Sequence, residues 1–312
     1  MAKQKIIIAG AGVMGASMAQ IYAQYGYDVT IYDVFPEGLS KGEALIALNQ
    51  ETAVATGKLT AGQSSDLLAR ISFTGDLECF KEGEYVVECI FERMDIKHDF
   101  WAKASAIAPK DAVLTSNTSG LSLTEMAKAV ELPERFCGMH WVNPPHIVPL
   151  VEVIRGEKTN DATVDAVYAN ALSVGKKPIK VKDAPGFVLN RLQFAVLREA
   201  MHIVENGIAS IEDVDNTLKY GLGMRYAAIG PFETADLGGL DTFYNIASYL
   251  FADLSDRKDV NDMLADLFKA ESYGVKSCKG FYDYSDGKDK EAIRRRDTMF
   301  LKLAECLYSE GK

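Results

Sequence analysis

Residues 5–33, KIIIAGAGVMGASMAQIYAQYGYDVTIYD, confine the start of this chain to very few folds. A short β-branched run enters the turn Gly10-x-Gly12-x-x-Gly15, an amphipathic stretch leaves it, and a second β-rich run closes on Asp33. G-x-G-x-x-G alone is a weak signal. Between a strand and a helix, with an acidic residue ending the next strand, it is specific. Gly10 permits the tight turn, Gly12 lets the backbone approach a pyrophosphate, and Gly15 lets the helix pack close to the strand. The helix that opens at Val13 and Met14 offers free N–H groups and a partial positive charge to the phosphates. Asp33 is placed to accept hydrogen bonds from the adenosine ribose and to repel a 2′-phosphate. Residues 34–38, VFPEG, supply no arginine or lysine to hold that phosphate. The expected cofactor is therefore NAD(H) rather than NADP(H).

The same alternation continues to about Lys182. Strand candidates are KIIIA, DVTIY, RISF, YVVECIF, AVLTS, FCGMHW, LVEVI and PIKV, with helical stretches such as DIKHDFWAKASAIA between them. Strand–helix alternation of this kind predicts an α/β fold, a Rossmann-type doubly wound parallel sheet covered on both faces. After KDAPGF the strand signals stop. LNRLQFAVLREAMHIVENG, SIEDVDNTLKYG, LDTFYNIASYLF, VNDMLADLFKA and RRRDTMFLKLAECLYSE all carry helical periods. We expect an NAD-binding domain over 1–183 and an all-helical substrate and dimerisation domain over 184–312. The helix beginning at Leu189 has apolar positions on more than one face, which a homodimer would cover.

Composition excludes some partners. A formal net charge of −10 argues against nucleic acid and anionic membrane, both of which recruit basic surfaces. No segment approaches the length of a membrane span, and the start shows no targeting pattern. The five cysteines are odd in number and widely spread, without metal-ligand spacing. They read as reduced, mostly buried thiols of a cytoplasmic protein that needs no metal.

The stretch GMHWVNPPHIVPLVEV holds two of only four histidines, His140 and His146, and one carboxylate in an apolar run, Glu152. Beside a nicotinamide, alcohol oxidation needs a base for the hydroxyl proton, and histidine titrates in the right range. A carboxylate that orients its other ring nitrogen improves it. Glu152, twelve residues on and across a proline turn, is the candidate. A histidine at a strand end also serves simply as a packing residue; His146, after two prolines, reads as lining a loop, and His98 and His202, in helical stretches, read as structural.

Over nearly its whole length the chain resembles the 3-hydroxyacyl-CoA dehydrogenase superfamily. The resemblance rests on the glycine loop with Asp33, VVECIFE, SNTS, HWVNPP, PLVEV, DAPGFVLNRL, GPFE and KGFYDY, in that order. It implies His140 as the catalytic acid/base, Glu152 as its partner, and Ser119 and Asn190 as contacts to the substrate oxygen. It further implies Asn117 and Asn143 near the nicotinamide and Glu92 and Lys97 as cofactor contacts. Two stretches depart from the acyl-CoA enzymes: NPPHIVPL, and the long YGLGMRYAAIGPFETADL. Both resemble a side branch that includes L-gulonate 3-dehydrogenases (the lambda-crystallin relatives), L-carnitine dehydrogenases and a pyridine-carboxylate dehydrogenase. That branch implies a small polar free acid as substrate, with Arg225 as a carboxylate clamp, since a guanidinium grips a carboxylate bidentately. A surface role for Arg225, a hydroxyacyl-CoA thioester substrate, and an NAD-binding protein without turnover stand as alternatives.

Overall fold

The computed structural model describes residues 5–308. It divides into two compact units, Met1–Arg191 and Leu192–Lys312. The last two residues of the predicted C-terminal helix, 309 and 310, lie outside the described residues.

The first unit is one eight-stranded sheet in the order β3-β2-β1-β4-β5-β6-β7-β8. Its strands are β1 (Ile6–Ala9), β2 (Val29–Tyr32), β3 (Ile71–Thr74), β4 (Tyr85–Glu88), β5 (Val113–Ser116), β6 (Phe136–Trp141), β7 (Leu150–Arg155) and β8 (Lys177–Lys182). All eight fall on the runs named from sequence. The pairings are parallel except β6 with β7, which run antiparallel. The chain reverses its direction of growth between β1 and β4, the switch point where open α/β sheets bind ligands.

Alternation along β1 shows why the run is apolar throughout. Ile6 and Ile8 face a core shared with Met18, Tyr22 and Val153, while Ile7 and Ala9 face one shared with Trp101, Leu114 and Phe136. A strand buried on both sides has no polar face to show. The first layer is built by α1 (Val13–Gln24), α2 (Pro36–Ala55), α3 (Ala61–Leu68) and, later in the chain, the helix Asp161–Ser173; the second by α4 (Met94–Ile107) and α5 (Leu123–Met126). Thr60 and Gln63 close a full capping box on α3. The helix Asp161–Ser173 is α6, started by the Asn160 side chain accepting from Thr163 N–H.

One predicted strand is shorter than expected. YVVECIF ends at Glu88, because the Glu88 carboxylate accepts the Ile90 N–H and turns the chain out of the sheet.

Helix α7 (Leu189–Glu205) leads into the second unit, which continues with α8 (Ile211–Thr217), α9 (Gly223–Ala228), α10 (Pro231–Gly238), α11 (Leu240–Leu250), α12 (Asp262–Lys269) and α13 (Lys288–Tyr308). A π-helical turn over Leu218–Leu222 joins α8 to α9. This unit leaves large apolar side chains open: Phe232 is 87% exposed and Phe251 73%. The expectation of mostly buried cysteines is corrected here. Only Cys137 is buried; Cys79 and Cys89 are half-buried, and Cys278 and Cys306, both in the helical unit, are exposed. A helical period marks which face is apolar but not whether anything covers it.

Candidate active site

The glycine loop joins β1 to α1 as its motif requires. Gly10 sits at φ +108°, where a Cβ would lie 2.7 Å from the Cys89 carbonyl oxygen; at Gly15 one would lie 1.9 Å from the Gly10 oxygen. Neither position has room for a side chain. At Gly12, the N-cap of α1, a Cβ would meet nothing within 4 Å, and no side chain caps the helix. Open space in front of unclaimed amides is the cradle a pyrophosphate fits. Val13 is exposed and Met14 half-buried beside it.

Asp33 follows β2 directly. Its Oδ2 accepts from Ala11 N–H at 2.9 Å and its Oδ1 from Phe35 N–H at 3.0 Å. Each oxygen keeps a lone pair for a ribose hydroxyl. The adjoining cavity of about 480 Å³ is lined by Gly10, Gly12, Asp33, Phe35 and Phe91 among others. Phe35 and Phe91 stand edge to face at 6.5 Å. The residues present therefore fit the adenosine half of a dinucleotide. The same wall also carries Lys41 and Lys103. Inspection of residues 34–38 missed them because one lies further along α2 and the other on α4.

The second centre lies on β6 and β7. The antiparallel register pairs His140 directly with Glu152. His140 Nδ1 is 2.8 Å from Glu152 Oε2, and both side chains are buried. Glu152 Oε1 accepts the N–H groups of Val188 and Leu189, at 2.9 and 3.0 Å, where α7 begins. Burial pushes the Glu152 carboxyl up and is the largest single effect. The His140 hydrogen bond and the two amides together outweigh it and hold the group below its ordinary value. An ionised Glu152 fixes the proton on Nδ1 and leaves Nε2 as the free acceptor. Phe187, at φ +51°, packs its ring 5.9 Å from the imidazole.

Ser119 and Asn190 meet as well. The Asn190 Nδ2 donates to the Ser119 carbonyl at 2.7 Å. Since Asn190 follows Leu189, the carboxylate that orients His140 also anchors the turn carrying this amide. Asn117 Oδ1 accepts from Trp141 N–H at 2.7 Å, tying the end of β5 to the residue after His140. Asn143 is exposed on the following loop, whose Pro145 and Val148 carbonyls are bound by the buried Lys176 ammonium.

Glu92 and Lys97 are joined to each other. Lys97 is 1% exposed, with its ammonium 2.5 Å from Glu88 Oε1 and 3.3 Å from Glu92 Oε2. Glu88 Oε2 takes the Ser116 hydroxyl at 2.6 Å, and Glu92 Oε1 takes the Thr118 hydroxyl at 2.6 Å and the Ser119 N–H at 2.8 Å. Glu88 and Ser116 were missed from sequence. The available signal was an acid closing the apolar run YVVE. Arg225 sits on α9 in the helical unit, exposed and without an ion-pair partner among the described residues.

Two family models cover these features. Residues 5–184 match the NAD binding domain of 3-hydroxyacyl-CoA dehydrogenase, and residues 186–284 match its C-terminal domain. The chain belongs to the 3-hydroxyacyl-CoA dehydrogenase family. It is 36% identical to 5-formyl-3-hydroxy-2-methylpyridine 4-carboxylate 5-dehydrogenase of Mesorhizobium japonicum, over 99% of each chain. It is 39% identical to a probable 3-hydroxybutyryl-CoA dehydrogenase of Deinococcus radiodurans, over 90% of this chain and 100% of that one. A crystal structure of the pyridine-carboxylate enzyme, described as an NAD+-dependent dismutase, matches with a TM-score of 0.90 at 35% identity, covering both chains fully. The (S)-3-hydroxybutyryl-CoA dehydrogenase of Ralstonia eutropha matches with a TM-score of 0.76 at 35% identity, covering 91% of this chain and 99% of that one. The protein is thus an NAD-dependent oxidoreductase acting on CH–OH, which sets aside the reading of NAD binding without turnover. No helix among the described residues is long and apolar enough to cross a membrane.

Proposed function

We propose that this enzyme interconverts an L-3-hydroxy acid and its 3-oxo acid, on a small polar substrate with a free carboxylate. The observation that carries the chemistry is the buried 2.8 Å contact of His140 with Glu152 on paired strands. Bound NAD supplies the hydride acceptor; the protein supplies the rest. His140 Nε2 takes the substrate hydroxyl proton. Glu152 keeps the ring oriented and stabilises the imidazolium that results. The Ser119 hydroxyl, which makes no hydrogen bond of its own among the described residues, and the Asn190 amide hold the reacting oxygen. Asp33 and the loop Gly10–Gly15 hold the adenosine and pyrophosphate. Val13, Met14, Glu92, Asn117 and Asn143 complete the cofactor wall, and Lys97, buried behind it, holds Glu92. Replacing His140 with Ala should lower kcat at least about a hundredfold. Near-full activity in that variant overturns the assignment.

The free-acid reading is supported by the pyridine-carboxylate relative, matched end to end, and by Arg225, whose guanidinium suits a carboxylate. Arg225→Met should raise KM about tenfold or more for a free acid. The second reading, a 3-hydroxybutyryl-CoA thioester, is favoured by the relatives that carry that activity in their names. NAD reduction with a panel of free 3-hydroxy acids and 3-hydroxybutyryl-CoA separates the two. Faster turnover of the thioester than of every free acid moves the assignment to the second. The exposed apolar surface of the helical unit, headed by Phe232, supports a homodimer, and the unpaired thiols fit a reducing cytoplasm.

A further inference from the structure

The cavity beside Asp33 holds two lysines, and they are not equivalent. Lys103 Nζ lies 2.7 Å from Asp99 Oδ2, one helical turn earlier on α4, and Asp99 lines the same cavity. That pair brings no net charge to the wall. Lys41 has no ion-pair partner among the described residues.

Helix α2 determines where Lys41 stands. Gly38 is where this helix passes the Asp33 carboxylate: a Cβ there would lie 3.1 Å from Oδ2. Gly42 is where it passes the glycine loop: a Cβ there would lie 2.7 Å from the Ala11 carbonyl oxygen. Lys41 is three residues after Gly38, so both share one helix face a turn apart. The two glycines draw the helix close to Asp33 and the glycine loop, and the lysine between them lines the same cavity.

We propose that Lys41 is a latent 2′-phosphate site, and that the Asp33 charge alone keeps NADP(H) out. With Asp33 ionised, a phosphate at the ribose 2′ position meets a carboxylate held in place by two backbone amides, and the repulsion outweighs the nearby ammonium. Removing that charge leaves an unneutralised cation on the wall of the cavity that Asp33 also lines. An ammonium is a compact point charge that accepts a phosphate without a set fork geometry.

The test compares NADH and NADPH, which differ only in the 2′-phosphate, by the fluorescence change of the nicotinamide on binding. Wild type should bind NADH more tightly. Asp33→Ser should raise NADPH affinity relative to NADH by about tenfold or more, and adding Lys41→Met should remove about tenfold of that gain. Adding Asp99→Asn together with Lys103→Met instead, which removes that neutral pair as a unit, should leave the gain in place. Asp33→Asn, whose single amide oxygen keeps an acceptor for one of the two N–H groups of Ala11 and Phe35, is the second variant should the serine loosen the loop. The proposal fails if neither Asp33 variant gains NADPH affinity. It also fails if Lys41→Met weakens NADH and NADPH equally, which would assign the lysine to the pyrophosphate, or if removing the Asp99–Lys103 pair together removes the gain.

Discussion

His140 and Glu152 touch because their positions in the strands are opposite, not because they are near in sequence. In an antiparallel pair, directly opposed side chains stand on the same face about 5 Å apart at Cβ, within reach of an imidazole and a carboxylate. The pair has a pH signature whose sign is fixed. Glu152 is held below its ordinary value in the folded protein, so between the two values the unfolded chain binds more protons. The stability it contributes is present above the unfolded value of 4.5 and is lost as pH falls through the folded one. Glu152→Gln should therefore flatten the acid side of a plot of Tm against pH. It should also lower kcat about ten- to hundredfold, as expected of a group that orients a reacting one. A variant whose Tm follows wild type through the acid range would contradict this account.

At the scale of elements, Glu88 at the end of β4 and Glu152 within β7 are buried charges, and each joins separate segments. Glu152 joins β7 to the start of α7. Glu88, at the end of β4, joins the end of β5 through Ser116 to α4 through Lys97, and Lys97 reaches the Ser119 loop through Glu92. Breaking a buried pair by removing one partner leaves an uncompensated charge. Lys97→Met should destabilise the protein by about 3 kcal/mol, read by chemical denaturation. It should also raise KM for NAD, since Glu92 loses the cation that holds it against the loop. The sequence made these elements legible and left their junctions hidden. All eight strands and the glycine turn follow from local periodicity and turn chemistry. Glu88 looked like one more residue of a strand because burial in a polar junction leaves no periodic trace.

For the whole molecule, the helical unit is where large apolar side chains stay open. Amphipathic stretches announce helices, yet Phe232, Tyr220 and Met224 remain 87%, 76% and 75% exposed. Apolar surface of that kind marks an association site. Sedimentation velocity should give twice the 34.2 kDa chain mass, and Phe232→Asp should shift it toward the monomer. A wild-type monomer at micromolar concentration would remove the dimer from the proposal.

The sequence by itself determined the class of sheet, the dinucleotide loop and NAD as the cofactor. These depend on residue types at short, fixed spacing, which local geometry converts directly into structure. Only the tertiary structure decided which of those residues touch: Glu152 with both His140 and the first amides of α7, Asn190 with Ser119, Lys97 with two carboxylates, and Lys41 with the ribose cavity. Such contacts depend on strand register and on how closely helices pass the sheet. Those quantities are set by packing over the whole domain, and no short stretch of sequence contains them.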